Sequence, residues 1–123
     1  MMVSPHKGKT GLRRLINAFG YSVSGLRAAY RLEDAFRQEI LLAAVLIPAA
    51  LMLPVAAAGR ALLLASVFLV LIVELLNSAV EAAVDRISLD NHELAKVAKD
   101  IGSAAVMLSL VCMTVVWTVV LAN

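Results

Sequence analysis

The chain has 123 residues, 62% of them hydrophobic and 16% charged, with a mean hydropathy of +0.90. A soluble domain is nearer half apolar and a quarter charged, so the composition excludes an ordinary cytosolic globule, a disordered chain and a nucleic-acid-binding domain. The formal net charge of +2 is small, but the charges are unevenly spread. The single cysteine, Cys112, excludes an internal disulfide framework and a cysteine-based zinc site; set in an apolar run, it reads as a small hydrophobe.

The chain opens with Met1-Met2-Val3-Ser4-Pro5-His6 and has no long apolar run before Ile40, which excludes a cleaved secretory signal. Gly8-Lys9-Thr10 resembles the tail of a phosphate-binding loop, but the full pattern needs a glycine where Val3 stands and a strand before it. It reads as a basic tail. Leu12, Leu15, Ile16, Phe19, Val23, Leu26 and Tyr30 then recur at three- and four-residue steps, with Arg13, Arg14, Asn17, Ser24, Arg27 and Arg31 on the other side. That period predicts a basic amphipathic helix over about residues 10–31, lying in the headgroup layer of a membrane. Gly20 and Gly25 weaken it by about 1 kcal/mol each and permit close approach.

Three bilayer spans follow, each needing about 20 mostly apolar residues. Ile40 to Ala58 and Ile101 to Ala122 carry no charge, and Ala61 to Val84 is apolar until Glu74. Their helices are placed at about 34–53, 58–86 and 93–122. Pro48 and Pro54 fall in the first, where Pro54 helps to end the helix. Lys7, Lys9, Arg13, Arg14, Arg27, Arg31 and Arg37 precede the first span, Arg86, Lys96 and Lys99 lie between the second and third, and only Arg60 lies between the first and second. Positive residues stay inside, so the N-terminus and the 86–100 segment are expected in the cytoplasm, where ATP is. The fold class is therefore an all-α membrane protein: a single domain of three transmembrane helices plus an N-terminal interfacial helix.

The second span carries the chemistry. Glu74, Asn77, Ser78, Glu81 and Asp85 are three or four residues apart and form one polar stripe on an otherwise apolar helix. A carboxylate in hydrocarbon costs about 3 kcal/mol or more, so a membrane acid is a functional hypothesis by default. Interhelical glue explains serine and asparagine, but glue needs no net negative charge; a divalent cation or a proton does. Glu74 lies about 18 Å along the helix from Arg86, near the depth of a lipid hydroxyl, and Glu81 and Asp85 lie nearer water. Further charges come from Glu33, Asp34 and Glu39 before the first span and from His92, Glu93, Lys99 and Asp100 before the third. No glycine-rich nucleotide motif, Ser/His/Asp arrangement or metalloprotease motif occurs. If the chain uses ATP, Glu33 and Glu81 are the candidate oxygen ligands of Mg2+ and Glu74 is the candidate base.

Five ordered blocks resemble one known family. Glu74-x-x-Asn77-Ser78-Ala79-x-Glu81-x-x-Val84-Asp85 is similar to the signature of the prokaryotic integral-membrane diacylglycerol kinases. So are Gly20-Tyr21-Ser22 with Gly25-Leu26-Arg27-Ala28-Ala29, Glu33-x-Ala35-Phe36-Arg37-Gln38-Glu39, His92-Glu93-Leu94, and Ala98-Lys99-Asp100-x-Gly102-Ser103-Ala104-Ala105. The resemblance runs from about Arg14 to Val106. It implies a homotrimer in the bacterial inner membrane with sites shared between subunits, and transfer of the ATP γ-phosphate to diacylglycerol with Mg2+. It implies Glu74 as base and Glu33 and Glu81 as metal ligands. Arg14, Tyr21, Asp90, Asn91, His92, Lys99 and Asp100 would line the nucleotide. Arg14, Ser22, Glu39 and Ser103 would lie along the lipid path, with Asn77 and Asp85 in support. Tyr30 stands where the family has tryptophan, and Leu32 where it has asparagine.

Other readings stay open. A related branch phosphorylates undecaprenol and tends to read Phe-Arg-Ile-His where this chain has Phe36-Arg37-Gln38-Glu39. A small proton-coupled transporter would place its acid nearer the midplane and would need no cytoplasmic constellation. A helix-only assembly subunit explains neither Glu74 nor Glu81.

Overall fold

The computed structural model describes residues 11–87 and 92–123. Helices account for nearly all of them: α1 (Gly11–Leu32), α2 (Asp34–Met52), α3 (Ala57–Ile87) and α4 (Glu93–Ala122). Among the described residues there is no strand. The chain is all-α, and α2, α3 and α4 are each long and apolar enough to cross a membrane. It divides into two compact units, α1 by itself and α2 to α4 together.

Within its own unit α1 leaves its apolar side uncovered, with Leu12, Leu15, Ile16 and Phe19 all well exposed. Gly20 and Gly25 lie inside the helix, and the space where a Cβ would point is open at both.

Helix α2 begins after Glu33, whose backbone is extended (φ −119°, ψ 111°). Asp34 opens the first turn, where an acid complements the helix dipole, and pairs with Arg37 one turn on. Pro48 sits inside the helix without ending it. Pro54 follows the end, and the residue before a proline disfavours helical backbone. Leu53 is accordingly extended, its N–H still donating to the Ala49 carbonyl at 3.0 Å. The last carbonyls of a helix need partners from outside it. Arg60, from the first turn of α3, supplies them: its guanidinium donates to the carbonyls of Ala50 at 2.7 Å, Leu51 at 2.8 Å and Val55 at 3.2 Å.

Helix α3 packs against both α2 and α4. Ala43, Val67, Val70 and Met113 form the buried centre, with Leu46, Ile47, Leu71, Leu110 and Trp117 around it. Alanines at 43 and 50 let α2 come close, as small residues do where lipid removes the hydrophobic drive between helices. Trp117 Nε1 donates to Ser66 Oγ at 3.1 Å, and Ser66 donates onward to the Leu63 carbonyl at 2.8 Å, a polar link between α4 and α3. The outer faces are apolar, with Leu41, Val45, Phe68, Ile72, Leu108 and Val115 exposed. Thr114 and Thr118 turn their hydroxyls onto the carbonyls of Leu110 and Thr114, as polar groups in lipid must be satisfied internally.

With 31 and 30 residues, α3 and α4 are each about 45 Å long, against about 30 Å of hydrocarbon. Apart from Arg60, both carry their charged residues in the halves toward residues 88–91, which favours the excess length on that side. The acidic stripe lies at that end.

Candidate active site

Glu74 and Asn77 face inward from α3 and are only 4% and 9% exposed, the two most buried members of the stripe. Glu81 is half-buried and Asp85 exposed, so burial falls steadily along the helix toward its charged end. This follows from the period of the stripe: one helix face, read from the packed centre outward.

Three neighbours surround the Glu74 carboxyl. Asn77, less than one turn on, lies beside it, and Asn77 Nδ2 donates to Glu81 Oε2 at 3.0 Å. Glu39, from the first turns of α2, lies beside Glu74 across the helix pair. Glu33 and Glu81 are near enough for their charges to be felt at Glu74. Glu33 directly precedes α2 yet makes no side-chain cap to it; only its backbone carbonyl is engaged, by the Arg37 N–H at 3.2 Å. The site thus gathers Glu33, Glu39, Glu74, Asn77 and Glu81 from two helices.

A second constellation joins α3 to α4. Lys99 Nζ pairs with Asp85 Oδ1 at 2.6 Å. Lys96 pairs with Asp100 at 2.6 Å, one turn apart on the same helix. His92 caps α4, its Nδ1 accepting from the Leu94 N–H at 3.0 Å, which leaves Nε2 as the outward-facing atom. Ser103 is exposed one turn beyond Lys99. Asp90 and Asn91 lie outside the described residues.

On α1, described by itself, Arg14 and Tyr21 line one concave surface with Gly11, Leu15, Asn17 and Ala18. Ser22 donates to the Ala18 carbonyl at 2.9 Å.

Among the described residues no group of three or more His, Cys, Asp or Glu is gathered tightly enough to enclose a metal ion. Mg2+ does not need such a group, because it keeps several waters and takes one or two carboxylates plus phosphate oxygens. The donors here are hard carboxylate oxygens. One of them, Glu39 Oε2, is buried with no hydrogen-bond partner among the described residues, so the cluster has acceptor capacity to spare for a ligand.

Two features of the site escape the sequence pattern. One is the contact of Glu39 with Glu74; an acid bordering the first apolar run was the available signal. The other is Gly102 on α4, where a Cβ would collide with Asn77 Oδ1; a glycine deep inside a 30-residue helix was the signal for it.

The family model described as prokaryotic diacylglycerol kinase matches residues 20–121. The chain is 56% identical to the diacylglycerol kinase of Pseudomonas aeruginosa over 121 residues, 98% of each chain. It is 52% identical to that of Escherichia coli K12 over 115 residues, 91% of this chain and 92% of the relative. It is 42% identical to that of Helicobacter pylori (strain 26695) over 113 residues, 92% of this chain and 88% of the relative.

Proposed function

This chain belongs to the prokaryotic diacylglycerol kinase family and is an enzyme of that class, a multi-pass bacterial membrane protein; from that premise we propose how it acts. It transfers the γ-phosphate of ATP to the free hydroxyl of 1,2-diacylglycerol at the cytoplasmic membrane face, giving phosphatidate and ADP. The observation that carries this reading is Glu74, a buried carboxyl on a membrane helix with Asn77 and Glu39 beside it and Glu33 and Glu81 near.

Glu74 takes the proton of the lipid hydroxyl as that oxygen bonds to the γ-phosphorus. The bond from the γ-phosphorus to the bridging oxygen breaks, and ADP leaves with the electron pair. Positioning and charge neutralisation do most of the work in such a transfer. Glu33 and Glu81 would hold Mg2+ together with the triphosphate, and the ion supplies neutralisation of the phosphate charge. Lys99 offers a point charge to phosphate and exchanges its Asp85 partner for it. The resemblance to the family assigns Arg14, Tyr21, Asp90, Asn91, His92 and Asp100 to the nucleotide, and Arg14, Ser22, Glu39 and Ser103 to the lipid. Helix α1 lies in the inner headgroup layer with its apolar side down, which covers the side chains its own unit leaves exposed. Three copies assemble and share sites.

The deciding assay offers diacylglycerol and undecaprenol side by side to the purified protein in mixed micelles with Mg·ATP. Phosphatidate should form at least about tenfold faster than undecaprenyl phosphate, since a site shaped for one lipid hydroxyl discriminates on that scale. Faster turnover of undecaprenol overturns the substrate assignment. Proton flux in vesicles without phosphorylation of either lipid overturns the enzyme mechanism.

A further inference from the structure

Asn77 has one amide and two acidic neighbours. Its Nδ2 donates to Glu81 at 3.0 Å, and Glu74 lies beside the side chain on its other flank. A carboxamide carries its donors on nitrogen and its acceptor on oxygen. Against two carboxyl groups the nitrogen must face the acids, so the oxygen must face away, toward α4. There Oδ1 is buried with no hydrogen-bond partner among the described residues. It occupies the space a side chain at residue 102 would need, and an added Cβ would run into it.

A buried carbonyl without a partner is unfavourable, and so is glycine in a helix interior. Nothing in the backbone requires glycine at 102, since no glycine among the described residues has a positive φ. Turning the amide over would relieve neither cost, because it would set oxygen against two carboxyl groups. The two unfavourable features explain each other: the glycine makes room for the oxygen, and the oxygen points there so that the nitrogen serves both acids.

We propose that Gly102 is a positioning residue for phosphoryl transfer, leaving the space that holds the Asn77 amide between Glu74 and Glu81. It touches neither lipid nor nucleotide and acts through Asn77. The inference rests on the reading of Glu74 as base and Glu81 as metal ligand. It extends the site to α4, so the setting of α4 against α3 bears on the chemistry as well as on packing.

The test is a double-mutant cycle on the purified full chain in mixed micelles with Mg·ATP and diacylglycerol. Gly102→Ala should lower kcat at least about tenfold while KM for diacylglycerol stays within about twofold, a split that separates transition-state positioning from substrate binding. In an Asn77→Ala background, where the oxygen is gone, adding Gly102→Ala should cost nothing further. A wild-type kcat in Gly102→Ala overturns the proposal, and so do losses that multiply independently in the double variant. If Gly102→Ala does not yield folded protein, the double variant decides. Recovery of folded protein when Asn77 is also shortened supports the contact, and failure of both overturns it. Full activity in Glu74→Gln would instead remove the mechanism beneath the proposal, so the two failures are told apart.

Discussion

At the scale of single residues, Glu74 is a carboxyl kept 4% exposed in an apolar bundle, where a leucine would pack at no solvation cost. Glu74→Gln keeps the shape and the capacity to hydrogen-bond but removes the proton acceptor. Loss of general-base catalysis costs about 10²–10⁴ in rate, so kcat should fall by at least about a hundredfold while Mg·nucleotide binding, followed by titration of a fluorescent ATP analogue, is unchanged. Glu81→Gln and Glu33→Gln should do the reverse, raising KM for Mg·ATP about tenfold and steepening the Mg2+ requirement; full activity in all three variants would remove the site. The stripe itself was legible, because helical period puts Glu74, Asn77, Glu81 and Asp85 on one face whatever the fold. The contact of Glu39 with Glu74, the pairing of Lys99 with Asp85 and the use of His92 as a cap were not. The two contacts depend on how each helix is rotated about its axis, and the cap on where α4 begins; none of these is periodic in one chain segment.

At the scale of elements, the turn between α2 and α3 shows how a boundary can be read while its support cannot. Pro54 marks the end of α2 in the sequence, since proline restricts the residue before it. Arg60 there is only a stray positive charge in an apolar loop, because its partners lie backward across the turn. In the structure it closes the carbonyls of Ala50, Leu51 and Val55. Hydrogen bonds from a charged donor contribute about 1.5–3 kcal/mol, and leaving several carbonyls open near lipid costs more than one such bond. Arg60→Ala should therefore destabilise the bundle by about 2 kcal/mol, read as a lower midpoint in sodium dodecyl sulfate unfolding of the detergent-solubilised protein. KM for both substrates in the folded fraction should not change. Arg60→Lys should recover only part of the stability, as an ammonium lacks the planar fork that spans several carbonyls. An unchanged midpoint in Arg60→Ala would mean that water caps this end as well as the guanidinium does.

For the whole molecule, charge placement and helix length bear on orientation. Every Lys and Arg except Arg60 lies before α2, in its first turn or around the α3–α4 connection, and α3 and α4, at 31 and 30 residues, are longer than the hydrocarbon needs. The exception is the one whose guanidinium is tied to helix-end carbonyls, so it weighs little against the excess of cations opposite. Positive residues near helix ends resist translocation, and on that ground the proposed orientation has the N-terminus and the acidic stripe on the cytoplasmic side and Asn123 outside. This orientation is what the proposed reaction requires, because ATP is on the inner side and a site on the outer side would have no co-substrate. A cysteine scan decides it. In a Cys112→Ser background, Asn123→Cys should react with a membrane-impermeant maleimide once the outer membrane is opened. Ile87→Cys, 83% exposed at the end of α3, should react only after the inner membrane is broken. The opposite labelling pattern would place the carboxylates on the side without ATP, and the kinase chemistry derived for Glu74 could then not operate in the cell.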